Sequence, residues 1–114
     1  MLSTQEEFEG MINDALNDIP ERFARAMTNL VVLARDFNPE EPTMLGLFEG
    51  VPLTEQHANH AGFLPNAIFL YKDAHEAVSA DVGELREQVR ITVFHEVGHY
   101  FGFEEHQLHE LGWG

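Results

Sequence analysis

The sequence predicts a small α+β protein, because two helical patterns enclose a group of short apolar runs within 114 residues. An amphipathic stripe lies near the N-terminus, strand-like segments follow, and a long capped helical segment lies near the C-terminus. No internal repeat and no interdomain linker interrupts this order. We therefore expect residues 1–114 to form a single domain with a small sheet packed against helices.

The first predicted helix begins at a cap formed by Ser3 or Thr4 and ends before Pro20. Its apolar residues recur at intervals of three and four, as on one face of a helix: Phe8, Met11, Ile12, Ala15, Leu16 and Ile19. A short helical turn is expected over residues 21–27. The opposite, acidic face of the first helix should be solvated.

Three apolar runs are predicted to be strands, at residues 30–34, 44–48 and 67–71. The first is continuous and rich in β-branched residues, and a turn sequence containing Pro39 follows it. A polar stretch with His57 and His60 separates the second and third runs, and we expect it to be a solvated loop.

The last predicted helix begins at Asp81, whose side chain and that of Glu84 are spaced for a capping box. It should extend to about Phe101, where Gly102 stops it. His75, between the third strand and this helix, is expected at the surface. Tyr71 and Tyr100 lie in apolar segments and are expected in the core.

The charge and the cysteine count exclude several classes of function. Six basic residues against twenty acidic ones give a net charge of −14, which repels nucleic acids and anionic membrane surfaces. Without cysteine, a metal must be held by imidazole and carboxylate groups. The N-terminal residues resemble no signal peptide and no apolar run is long enough to span a bilayer, so a cytoplasmic location is expected.

The spacing of His95 and His99 predicts a metal site. Residues four apart lie on one helix face, so both rings can direct a nitrogen to a common point. Glu96 flanks that face, where it can accept a proton from a metal-bound water and deliver it to a leaving amine. A structural histidine pair is the alternative. Ionisable groups in so apolar a helix are nevertheless costly unless they are paired or bind a metal.

A third ligand is expected just beyond this helix. Gly102 tolerates the left-handed conformation that lets the chain turn back, so Glu105 can approach the two histidines. His106 is the next candidate, and Glu104 also stays open. Zn²⁺ is the expected cofactor, because it accepts imidazole and carboxylate ligands.

The segment from His95 to Glu105, HEVGHYFGFEE, resembles the HExxHxxGxx(H/D) motif of metzincin-type zinc peptidases. Together with the chain length and the segments at 45–53 and 64–71, it resembles the bacterial minimal zincins, a family of small metallopeptidases. The resemblance covers nearly the whole chain. It departs from the motif in having Glu105 at the third-ligand position and no methionine after the motif.

The resemblance implies a small mixed sheet packed on helices, with the HExxH helix near the C-terminus. It also implies a peptide or protein substrate that pairs with an edge strand, for which residues 67–71 are the candidate. The resulting hypothesis is a zinc metallopeptidase with ligands His95, His99 and Glu105. In this hypothesis Glu96 is the general base.

A second hypothesis is a non-catalytic, metal-stabilised acidic module that binds a basic protein. It requires a closed site with a fourth protein ligand, for which His106 and His109 are the candidates. A metal-free interaction domain is the third reading. The sequence gives no prediction of the oligomeric state.

Overall fold

The computed structural model describes residues 1–52 and 66–113. Within these ranges the α+β class is confirmed. The helices are α1 (Gln5–Asn17), α2 (Glu21–Ala24), α3 (Lys72–Ala77), α4 (Val82–Tyr100) and α5 (Glu105–Leu111). The strands are β1 (Leu30–Arg35), β2 (Gly46–Glu49) and β3 (Asn66–Tyr71). The predicted loop with His57 and His60 lies outside the described residues.

The three described strands form one mixed sheet in the order β1-β3-β2. Strand β1 pairs with β3 in parallel, with Leu33 opposite Phe69, and β2 pairs with β3 antiparallel, with Phe48 opposite Ile68. The prediction that residues 67–71 form an edge strand is therefore wrong. That segment is central because a strand pairs with each of its sides, and β2 and β1 are the outer strands of the described sheet.

The core lies between the sheet and the two long helices. Helix α1 buries Phe8, Met11, Ile12 and Ala15, as its stripe predicts, and Thr4 caps it through a capping box with Glu7. Helix α4 packs against both α1 and the sheet. Its fully buried apolar residues and those of β3 complete the core: Leu85, Val89, Val93, Val97, Ile68 and Leu70. The Asp81 side chain accepts a hydrogen bond from the Glu84 amide, which is one half of the predicted capping box.

The expected surface position of His75 is wrong, because its side chain is fully buried. The chain turns directly from β3 into α3, a helix that the sequence patterns do not predict, and this turn directs His75 against α4. Its Nδ1 lies 2.8 Å from the Tyr71 carbonyl oxygen and its Nε2 lies 2.8 Å from Thr92 Oγ1. Burial is the main cause that lowers the pKa of His75 from 6.5.

Helix α4 ends as the sequence predicts. Gly102 adopts a left-handed conformation with φ of 79°, and the Phe103 and Gly102 amides donate to the carbonyls of Gly98 and His99. The chain then enters α5, whereas the sequence predicted only a closing turn in this segment. Tyr100 and Tyr71 are buried, as predicted. No helix in the described ranges is long and apolar enough to cross a membrane.

Candidate metal centre

His95 and His99 lie next to each other on the last two turns of α4. Their ring centroids are 4.5 Å apart and the ring planes are inclined by 71°. Both side chains are accessible, with exposed fractions of 29% and 38%. The i, i+4 spacing on a helix brings the rings together, and their partial exposure lets an ion or a substrate reach them.

The carboxylate of Glu105 faces both rings. Its Oε1 lies 3.9 Å from His95 Nε2 and 3.8 Å from His99 Nε2. Two ligands that each lie 2.0–2.1 Å from a tetrahedral zinc ion are separated by about 3.3–3.4 Å. The two distances from Glu105 to the histidines therefore exceed that spacing by only about half an ångström. Two imidazoles and one carboxylate are also a donor set that catalytic zinc accepts, so these residues fit the ion.

Glu96 is buried beside this group and contacts His99 from the other side of the ring. Its Oε1 lies 3.2 Å from His99 Nδ1, and its exposed fraction is 7%. When Nδ1 carries the proton and donates to Glu96, the lone pair of His99 Nε2 is directed toward Glu105. This contact is not among the features predicted from the sequence, although the i, i+3 spacing of Glu96 and His99 could have indicated it.

Glu96 and Glu105 are thus both candidates for the third metal ligand. One donor atom from each of His95, Glu96 and His99 lies within 4.8 Å of the other two, and this cluster does not include Glu105. We nevertheless favour Glu105, because its oxygen approaches the same nitrogen, Nε2, of both rings. Glu96 instead approaches His99 at Nδ1, which faces away from that shared point.

Helix α5 brings the backbone of Glu105 near the histidines through an interlocked contact with α4. A Cβ atom at Gly98 would lie 2.0 Å from Leu108 Cδ2, so α5 can dock here only because residue 98 is glycine. Leu108 is fully buried, and the Trp113 ring packs edge-on against Phe94 at a centroid distance of 5.2 Å. These contacts support the site in a chain that has no methionine after the motif.

The other candidates lie elsewhere on the C-terminal segment. Glu104 caps α5 through a capping box with Gln107, and its Oε2 lies 3.5 Å from His106 Nδ1. His106 and His109 line a pocket with Glu105 and Glu110, to which neither His95 nor His99 contributes. Within the described ranges, neither histidine belongs to the cluster around His95 and His99.

Strand β2 crosses α4 at the site, and two pockets open on either side of this crossing. A Cβ atom at Gly46 would lie 2.6 Å from Thr92 Cγ2 and 3.2 Å from Glu96 Cγ, so the strand lies directly on the helix. The Phe103 pocket, of about 520 Å³, is bordered by Glu96, His99 and Phe103. The Thr92 pocket, of about 340 Å³, is bordered by Thr92, His95 and Glu96. Glu96 is therefore common to both pockets.

Comparisons with known proteins agree with this fold. Among solved structures, a conserved hypothetical protein from Thermus thermophilus is similar to the chain, with a TM-score of 0.61 and 24% sequence identity. The match covers 87% of this chain and 94% of that protein, and it supports the fold. No curated protein matches the chain significantly.

The family model described as zincin-like metallopeptidase matches residues 27–113, which include the sheet, α4 and α5. The chain therefore belongs to the zincin-like metallopeptidase family.

Proposed function

We propose that the chain is a zinc-dependent peptidase in which His95, His99 and Glu105 hold the metal and Glu96 is the general base. The observation that carries this proposal is the position of Glu105 Oε1, within 3.9 Å of Nε2 on both histidines. When bound, zinc would polarise the scissile carbonyl and lower the pKa of a water molecule. Membership of a metallopeptidase family supports the same conclusion.

In this proposal Glu96 moves the proton. Its Oε1 contacts His99 Nδ1, so we assign Oε2 to accept the proton and later to deliver it to the leaving amine. Glu96 borders both pockets, where it can meet a bond that spans them. Its burial at 7% exposure limits competing contact with bulk water.

The proposed substrate is an extended peptide that lies along β2. Within the described residues, β2 pairs with β3 on one side and no strand pairs with its other side. An extended peptide can add to such an edge through main-chain hydrogen bonds. The edge passes the site at Gly46, directly above Glu96, and the net charge of −14 favours peptides with basic residues.

A non-catalytic, metal-stabilised binding module is the alternative to the peptidase. Such a site requires four protein ligands, whereas a catalytic site leaves one position open. Among the described residues, His106 and His109 lie outside the cluster that contains His95 and His99. We therefore favour the catalytic reading.

The test combines metal content with hydrolysis. Wild-type protein, His99→Ala and Glu105→Ala are purified without added metal and measured by elemental analysis. We expect about one zinc per chain in the wild type and loss of zinc in both variants. Glu96→Gln should keep the zinc and lose cleavage of a peptide library, because the amide cannot act as the base.

Three results would contradict the proposal. Absence of zinc from the wild type, even after reconstitution, would reject the metal site. Retention of zinc in Glu105→Ala would reject Glu105 as a ligand. Zinc in a wild type that cleaves no peptide would favour the binding module. Circular dichroism of each variant controls for loss of the fold.

A further inference from the structure

We infer that the Phe103 pocket selects a large apolar side chain of the bound peptide. This inference rests on the proposed function, because it places that side chain directly beside the scissile bond. Both Glu96 and His99 border the pocket, so a side chain that enters it must belong to a residue next to the reacting carbonyl.

The walls of the pocket are mostly apolar. Two parts of the chain, the segment around β2 and the turn after α4, form them: Met44, Leu47, Phe48, Pro52 and Phe103. The backbone at Gly46 and Gly102 completes the lining. Apart from Glu96 and His99, none of these residues carries a charged side chain. Transfer of an apolar side chain from water to such a surface is favourable.

The aromatic walls are fixed by packing behind the pocket. The Phe103 ring contacts those of Phe23 and Phe101 at centroid distances of 6.0 and 5.7 Å. Phe48 packs edge-on against Tyr100 at 6.0 Å, and the Tyr100 hydroxyl donates to the Thr28 carbonyl at 2.8 Å. A preformed wall loses little conformational entropy when a ligand binds, so it can discriminate between ligand side chains of different shape.

The Thr92 pocket differs in both size and lining. Its volume is about 340 Å³, against about 520 Å³ for the Phe103 pocket. Thr43, Leu45 and Thr92 border it together with His95. The preference for a large apolar residue should therefore apply on one side of the scissile bond only, and the residue on the other side should be smaller.

Met44 offers a direct test, because it lies on the pocket wall and is only half-buried. Met44→Lys places a charge in the pocket, and Met44→Gln keeps the side-chain length with a polar end. Glu41→Gln is the matched control. It changes the net charge by the same amount as Met44→Lys. Residue 41 is exposed and belongs to the same loop as Met44, but it borders neither pocket.

The measurement is cleavage of a peptide library by zinc-loaded protein, with cut sites read by mass spectrometry. We expect Leu, Met or Phe at one position beside the cut. Both Met44 variants should lower kcat/KM for these peptides by about tenfold or more relative to peptides with Ala there. Glu41→Gln should keep the wild-type preference. Binding of fluorescent Phe and Ala peptides to Glu96→Gln provides a second readout that needs no turnover.

The outcomes separate this inference from the peptidase proposal. Cleavage without a preference for large apolar residues, or a preference unchanged by both Met44 substitutions, would overturn the inference and leave the peptidase intact. Selective binding of the Phe peptide to Glu96→Gln, weakened by Met44→Lys, would support the pocket even if the wild type cleaved nothing. Equal binding of both peptides without any cleavage would overturn both.

Discussion

Leu108 occupies the space in which a side chain at residue 98 would stand. Its Cδ2 lies 2.0 Å from the position of a Cβ atom at Gly98, far inside the normal contact distance. Gly98 lies between the two histidines on α4, and Glu105 precedes Leu108 by one helical turn on α5. The absence of a side chain at residue 98 therefore determines how closely Glu105 approaches the histidines.

Gly98→Ala should weaken both the fold and the metal site. The added methyl group must displace Leu108, and overpacking of a buried contact costs about 1–3 kcal/mol of the free energy of unfolding. Displacement of α5 would also move Glu105 away from the histidines, so zinc affinity should fall. Urea denaturation of the metal-free protein measures the first effect, and competition with a zinc chelator measures the second.

Gly10→Ala is the matched control for this substitution. Gly10 lies inside α1, and a Cβ atom there would have no neighbour within 4 Å. Alanine should therefore stabilise the protein by about 0.5–1 kcal/mol through its higher helix propensity, with zinc affinity unchanged. Equal stability changes in the two variants would show that the contact between Gly98 and Leu108 is unimportant.

Gly46→Ala should impair proton transfer by Glu96 and leave metal binding unchanged. The new Cβ would press against Thr92 Cγ2 at 2.6 Å and Glu96 Cγ at 3.2 Å, but His95, His99 and Glu105 are not among its nearest contacts. We expect zinc stoichiometry to stay constant while kcat falls, because Glu96 is displaced. A strong loss of zinc in this variant would contradict this prediction.

The double variant Gly46→Ala/Thr92→Ser tests the cause of that effect. Serine at residue 92 keeps the hydroxyl and removes the methyl group nearest to the added Cβ. Part of the lost stability should return, with a coupling energy of about 0.5–3 kcal/mol between the two positions. Additive effects of the two substitutions on the free energy of unfolding would show that they do not share this contact.

Sequence patterns predicted the features that depend on residues close to one another in the chain. The pairing of His95 with His99 follows from helix periodicity, and the left-handed Gly102 follows from the steric freedom of glycine. The approach of Glu105 to the histidines was also predicted, because a turn after Gly102 leaves few residues within reach. Binding of zinc by these residues remains a prediction.

Features that depend on tertiary packing were not predictable in the same way. Strand order is set by contacts between distant segments, so nothing within residues 67–71 indicated that β3 is central. The burial of His75 depends on a partner seventeen residues later, Thr92 on α4. The contact of Gly98 with Leu108 likewise requires the position of α5, which the short apolar pattern after Gly102 does not define.

The hydroxyl of Thr92 should be important for stability through its bond to His75. Thr92→Val would leave the buried Nε2 of His75 without its partner, and an unsatisfied buried polar group costs about 1–3 kcal/mol. Thr92→Ser keeps the hydroxyl and should cost less. Thermal denaturation of the two variants beside the wild type measures the difference, and a valine variant as stable as the serine variant would contradict it.

The burial of His75 should make stability depend on pH below about 6.5. Burial lowers the pKa of His75 in the folded protein below its usual value of 6.5, so the unfolded chain binds the additional proton first. Stability from this group is therefore present above pH 6.5 and is lost as the pH falls toward the folded pKa. The slope can reach about 1.4 kcal/mol per pH unit for one proton.

Urea denaturation of metal-free wild type and His75→Gln between pH 5 and 7 measures this effect. The wild type should lose stability with falling pH more steeply than the variant, which has no proton to bind at this position. Glu76 does not obscure the comparison. Burial acts to raise its pKa, but hydrogen bonds from Lys72 and Ser3 outweigh this and lower it from 4.5, so its contribution is lost at more acidic pH. Parallel curves for the two proteins would show that His75 does not titrate differently in the folded and unfolded states.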